Sequence, residues 1–167
     1  MRGEDGAYVG LNRGRTPPFT SDISLTFPLE SNMLFFLSCG NFAYGSLGIT
    51  TFDNFRADVQ VDIKIEYWSK AALEQATIYK LESVSTTDPK HGIEIITPTT
   101  RPRDNPFDNL KFTIDVRIPV SRYTSPHVIK DLYTKLGNFH HDLSDLHQLN
   151  FRSVHFEGSN GAVLAEV

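Results

Sequence analysis

Val59-Gln60-Val61-Asp62-Ile63-Lys64-Ile65-Glu66-Tyr67 alternates apolar and polar residues almost without error, and Leu110-Lys111-Phe112-Thr113-Ile114-Asp115-Val116-Arg117-Ile118 repeats the pattern. Side chains on a strand point to opposite faces at successive residues, so each stretch has one apolar and one polar face. At about 3.3 Å per residue each would span roughly 30 Å, long for a strand. The fold class that follows is all-β, with a core on one side of each long strand.

Working outward, Ile23, Leu25 and Phe27 alternate, and Pro28, with no N–H to give a ladder, closes that strand. A short apolar strand over 33–37 precedes a turn-rich stretch from Cys39 to Gly48, after which Ile49 and Thr51 begin another strand. Ser69 is placed to cap one short helix near 69–76, followed by strong helix formers. Strand returns over 77–83 and again over 92–97, and Pro98, Pro102 and Pro106 then rule out helix or central strand. The second long strand is expected to end at Pro119.

Residues 127–136 read two ways. Ser125-Pro126 could open a helix, with Val128, Ile129, Leu132 and Leu136 at helical spacing and Gly137 as its stop. The alternative is a strand. Further on, Ser159-Asn160-Gly161 between apolar alternations marks a two-residue hairpin or a tight corner between strands. A last strand running to Val167 would leave a row of unpaired backbone groups. That points to a truncated chain and to self-association through the edge strand.

At 167 residues the chain suits one domain with a real core. Residues 1–18 are rich in Gly, Arg and Pro and read as a flexible lead-in, leaving 19–167 as a single all-β domain. A net charge of −4 argues against a nucleic-acid partner. The pairs Arg13/Arg15 and Arg101/Arg103 read as solvated loop charge. Twelve phenylalanines, among them Phe27, Phe35, Phe112, Phe151 and Phe156 in β-patterned stretches, read as core packing. Cys39 has no partner for an internal disulfide and, following an apolar run, reads as a small buried hydrophobe. No stretch approaches the ~20 apolar residues of a membrane helix. The first residues lack the apolar segment of a signal peptide, and no Asn-x-Ser/Thr sequon occurs. These features favour a cytoplasmic protein, or a piece cut from a longer one.

The order of features resembles fungal, mushroom-type proteins grouped with adhesin domains of unknown function and built as β-solenoids. The matching elements begin with Leu34-Phe35-Phe36-Leu37 and its glycine turn, the strand closing on Tyr67-Trp68, and Ala71-Ala72-Leu73 with Ala76-Thr77. Gly92-Ile93 to Thr97-Pro98, Leu110 to Ile118-Pro119 and Ile129 to Leu132-Tyr133-Thr134 continue it. Asn138-Phe139-His140-His141, Asp145-Leu146 and Ser159-Asn160-Gly161 complete it. The resemblance implies an antiparallel, sandwich-like part over 19–120 and the first solenoid rungs over 121–167, which makes 128–134 a rung rather than a helix. It carries no established activity.

Potential metal ligands gather only at His140, His141, Asp142, Asp145 and His147. Imidazole and carboxylate suit zinc, but the spacing matches no zinc signature, so the structural reading leads for His140, His141, Asp145 and His147. Asp62, Glu66 and Asp115 fall on the polar faces of the long strands, where solvent exposure explains them. There is no phosphate loop and no Gly-x-Ser-x-Gly elbow, so no cofactor is implied. Hydroxyls at Thr50-Thr51, Ser85-Thr86-Thr87 and Thr99-Thr100, with Tyr44, Tyr79 and Tyr123, could meet a protein or glycan partner. The chain therefore reads as a non-catalytic, adhesin-like interaction domain. The alternative is a carbohydrate-active hydrolase or lyase on a β-solenoid scaffold, by fold analogy, which would require loss of activity on Asp142 or Asp145 substitution.

Overall fold

A computed structural model describes residues 16–54, 57–83, 85, 87–100, 108–146, 148–158 and 163–165. Arg13, Arg15, Thr86, Arg101, Arg103, His147, Ser159, Asn160 and Gly161 lie outside the described residues. The elements are β1 (Phe19–Phe27), β2 (Met33–Cys39), β3 (Ala43–Asp53), β4 (Val59–Tyr67), α1 (Lys70–Glu74) and β5 (Thr77–Glu82). They continue with β6 (Lys90–Ile96), β7 (Leu110–Val120), β8 (His127–Lys135), β9 (Asn138–Asp145), β10 (Leu149–Glu157) and β11 (Val163–Ala165). Among the described residues no helix is long and apolar enough to cross a membrane.

The strands form two sheets, ordered β1-β4-β7-β3-β9-β11 and β10-β8-β2-β6-β5. The chain is all-β with one short helix, as the alternation required. The expected antiparallel N-terminal part is corrected, because both sheets are mixed. β1 with β4, β4 with β7 and β5 with β6 run antiparallel, whereas β2 with β6 and β3 with β7 run parallel. β8 and β10 extend the second sheet beyond β2, and β9 and β11 extend the first beyond β3. Strands from both sides of residue 120 thus share both sheets, and neither sheet closes on itself.

Residues from both sheets meet in one core. Ile63 stands opposite Ile114 and Ile65 opposite Phe112, all four buried. Each such side chain contributes about 1.5–3 kcal/mol on leaving water. The turn-rich reading of Cys39–Gly48 holds only at its start, since β3 begins at Ala43. Gly45 misled it. It sits inside β3 at φ 150°, where an added Cβ would drive into the Phe112 carbonyl, so close β3–β7 contact demands glycine. Pro119 does not end β7 either. β4 pairs with β7 only as far as Arg117, so the missing N–H costs no ladder bond to that neighbour.

Residues 127–135 are strand. β8 buries Ile129, then Leu132 and Thr134, so its alternation shifts phase once, and that three-residue gap is what imitated a helix. In β10, Phe151 and Val154 lie in register with Ile129 and Leu132, so the same shift recurs. β10 and β11 lie in different sheets, so no hairpin pairs them, while Ser159-Asn160-Gly161 itself lies outside the described residues. Ser69 precedes α1 in extended conformation but makes no side-chain cap bond. Trp68, the single tryptophan, stands half-buried between β4 and α1.

Candidate functional site

Among the described members of the histidine cluster, His140 and His141 do not converge. His140 and His141 are consecutive in β9, and alternation sends the first to solvent while the second is 2% exposed in the core. His141 Nε2 lies 2.9 Å from Thr134 Oγ1, and its ring meets Phe156 edge-on at 5.0 Å. Its Nδ1 is buried with no hydrogen-bond partner in ordinary geometry. Burial holds this imidazole below its usual range, with the Phe139 backbone pulling upward and His140 adding to the depression. Asp142 is engaged locally, accepting from the Ser144 hydroxyl at 2.5 Å and backbone N–H at 3.0 Å. Those bonds hold its carboxyl below the normal range. Asp145 ends β9 with its side chain outside the described set. Among the described residues no three His, Cys, Asp or Glu side chains stand together as a metal site.

The polar strand faces are spent on cross-strand pairs. Asp62 accepts from Ser24 at 2.6 Å and Arg117 at 2.6 Å, and these bonds lower its pKa, the Ser24 bond most. Glu66 corrects the expectation of solvent exposure. It is buried at 8% exposure, and Lys111 Nζ donates to it at 2.7 Å. Cys39 corrects another, being exposed at the last position of β2. Tyr44 on the first sheet, Tyr79 on the second and Tyr123, 94% exposed in the β7–β8 turn, do not form one platform.

Sequence reasoning missed one cavity. A cavity of about 250 Å³ opens where the β7–β8 turn meets the β1–β2 turn, lined among others by Leu29, Ser121, Thr124, Ser125, Pro126 and His127. His127 opens β8, and its backbone N–H donates to the Gln148 carbonyl at 2.9 Å. Its Nε2 is buried and unpartnered. Burial holds its pKa down, while the Leu29 backbone and the Glu30 carboxylate pull upward. Ser121 Oγ already accepts from the Tyr123 N–H at 3.2 Å, and Thr124 Oγ1 donates weakly to the Ser125 carbonyl at 3.4 Å. The wall offers a neutral imidazole, hydroxyls and proline surface, with no carboxylate pair across it. The only sequence signal was Ser/Thr density around 121–125, which ordinary turns share.

No family model matches this chain, and no curated protein does. Among solved structures, it is similar to the crystal structure of a "putative cell adhesion protein" from Clostridium sporogenes, with a TM-score of 0.51 at 12% identity. The alignment covers 86% of this chain and 59% of that one, so the chain spans about three fifths of that protein's length. At that identity the likeness concerns the fold.

Proposed function

We propose that this chain is an adhesin-like, non-catalytic interaction domain that takes a small polyhydroxylated ligand, such as one sugar residue of a glycan, beside His127. The observation that carries this is the cavity beside His127, walled by Ser121, Thr124 and Ser125, with the imidazole's Nε2 buried and unpartnered. A buried polar atom without a partner costs about 1–3 kcal/mol, and a ligand hydroxyl that reached it through a small shift of the ring would remove that cost. Neutral imidazole among hydroxyls suits an uncharged polar ligand better than an anion. The clostridial neighbour adds fold-level support for adhesion by analogy.

The strand order also supports a finer architectural reading. β6–β7, β2–β3, β8–β9 and β10–β11 each pass from the second sheet to the first, stacking in parallel in that spatial order. We read them as four stacked two-strand rungs, with β2–β3, first in the chain, lying between β6–β7 and β8–β9, in partial agreement with the resemblance to fungal adhesin-type β-solenoids, and with residues from 19 onward acting as one domain. His141 is read as a packing histidine. Metal analysis of protein purified without a His-tag tests that, and one ion per chain would overturn it.

A glycan array with wild type and His127→Phe tests the binding reading. Loss of one good hydrogen bond predicts about tenfold weaker binding by the variant, near 1.4 kcal/mol. Wild type that binds no glycan would sink the proposal. Release of reducing ends from plant or fungal polysaccharide would favour the hydrolase or lyase alternative.

A further inference from the structure

The two sheets differ on their outer faces. On the first, β4 and β7 turn Asp62, Lys64, Lys111, Thr113 and Asp115 outward, polar at every position. On the second, the central strand β2 turns Met33, Phe35, Leu37 and Cys39 outward, opposite buried Leu34 and Phe36. A parallel-paired strand that is apolar on both faces marks a sheet covered on both. The Phe35 ring leans over its register partner Gly92, where an added Cβ would meet it at 2.6 Å, and this levels the face. Tyr133 and His155 continue the row, stacked at 5.0 Å with planes 2° apart. Ile96, 36% exposed, and Tyr79, 48% exposed, stand on the same face.

Charges frame this patch in a regular pattern. In register with Met33 lie Lys90 on β6 and Asp131 on β8, and in register with Leu37 lie Glu94 on β6 and Lys135 on β8. They form a rectangle about Phe35 whose sign alternates from corner to corner. Among the described residues Glu94 and Asp131 enter no ion pair. Lys90 holds Asp88 at 3.3 Å and Lys135 holds Glu157 at 2.8 Å, and each ammonium keeps further N–H donors. The two sides of β2 also differ in shape. Ile96 projects on the β6 side of Cys39, while on the β8 side a hollow of about 290 Å³ is lined by Ser38, Lys135, Gly137, Glu157 and Gly158.

We propose that this outer face is a homodimer interface, in which the second sheets of two copies pack face to face about a twofold axis running along β2. The choice of a second copy rests on charge and shape that are complementary to themselves. The axis exchanges the two sides of β2, so Glu94 of each copy meets Lys135 of the other and Lys90 meets Asp131. Met33, Phe35 and Leu37 meet their own counterparts on the axis. Ile96 of each copy falls on the hollow of the other. An axis across the strands would match the charges as well, pairing Glu94 with Lys90 and Lys135 with Asp131, but it would carry Ile96 away from the hollow. Shape therefore decides for the axis along β2. Aligned sheets of this kind pack about 10 Å apart with strands within about 30° of each other. Five strands spaced about 4.8 Å, with seven residues in β2 at about 3.3 Å each, give a face of roughly 550 Å² per copy. The total of about 1,100 Å² reaches the roughly 1,000 Å² that a specific interface needs. This inference stands independently of the glycan reading, because the His127 cavity lies at the turns and not on this face.

The test is sedimentation velocity on the full chain over a wide dilution series, with cross-linking by a short bismaleimide on the same samples. Wild type should pass from monomer to dimer as concentration rises, and the dimer should be linked through Cys39, which lies on the axis. Glu94→Lys and Lys135→Glu each set like charges opposite one another, and each should weaken the dimer about tenfold or more while keeping the wild-type circular dichroism spectrum. Mixed in equal amounts, the two variants should associate with each other, because every facing pair is again of opposite sign. A monomer at every concentration overturns the proposal and leaves the face to a different protein. So does a dimer that survives Glu94→Lys, a mixture that stays monomeric, growth beyond a dimer, or a dimer that the bismaleimide leaves unlinked. Should either variant fail to fold, cross-linking of wild type decides alone.

Discussion

Among the described residues both ends of the stack finish in edge strands, β1 and β5 at one and β10 and β11 at the other. The first is sealed between its sheets by buried Phe27, while the second stays open there. At the sealed end the neighbours run antiparallel, α1 carries the chain from one sheet to the other, and its Ala72 is buried. Phe27 fills the gap between the sheets, stacked on His91 at 5.9 Å, whose Nδ1 lies 2.6 Å from Ser31 Oγ. At the open end the neighbours run parallel, and the corresponding fill is Phe156, only partly covered, against His141 with an orphaned nitrogen. The difference lies in the filling between the sheets, since among the described residues β1 and β5 are edges as much as β10 and β11 are.

The largest expected effect contrasts the two fills. Phe27→Ala should cost about 3–5 kcal/mol, as for other fully buried aromatics, while Val154→Ala should cost under about 1 kcal/mol. Urea midpoints on both variants check this, and equal losses would erase the distinction between the ends. Next comes the pair next to the sealed edge. Lys111→Met strands the Glu66 carboxylate in a buried position, at about 1–3 kcal/mol given the half-exposed lysine. Adding Glu66→Gln should recover most of that loss.

Acid should find the histidines. Burial depresses His91, His127 and His141 in the folded state, so the unfolded chain binds more protons below its histidine pKa of about 6.5. Stability is therefore fully present above that pH and falls as pH drops through the window beneath it. His141→Gln should flatten this slope, and hydrogen exchange should show β9 and β10 opening before β4 and β7. An unchanged slope in the variant would count against His141 as a contributor. The smallest effect is at Asp62, whose exposed pairing with Arg117 should make Asp62→Asn cost about 0–1 kcal/mol.

What could be read without coordinates followed from physics that acts locally. The long strands announced themselves because a single buried face forces Ile63 and Ile114 into a two-residue rhythm. The order of strands did not, since β2 pairs with β6 and β8 rather than with its sequence neighbours, and parallel pairing is set by distant packing. The phase shift after Ile129 imitated helical spacing, and Gly45 imitated a turn while serving close strand approach. Glu66 was hidden by the same rhythm that revealed its strand, because alternation assigns a face but not what lies over it. The His127 cavity depends on two turns meeting from far apart in the chain.

Trp68, the single tryptophan, sits at the junction of β4 and α1, on the sealed side of the stack. Nature has thereby installed an optical reporter at one pole of the molecule and none at the other. Indole emission during heating would follow that pole alone, while far-ultraviolet dichroism would follow every strand. A gap between the two melting curves would measure, in degrees, how independently the poles come apart.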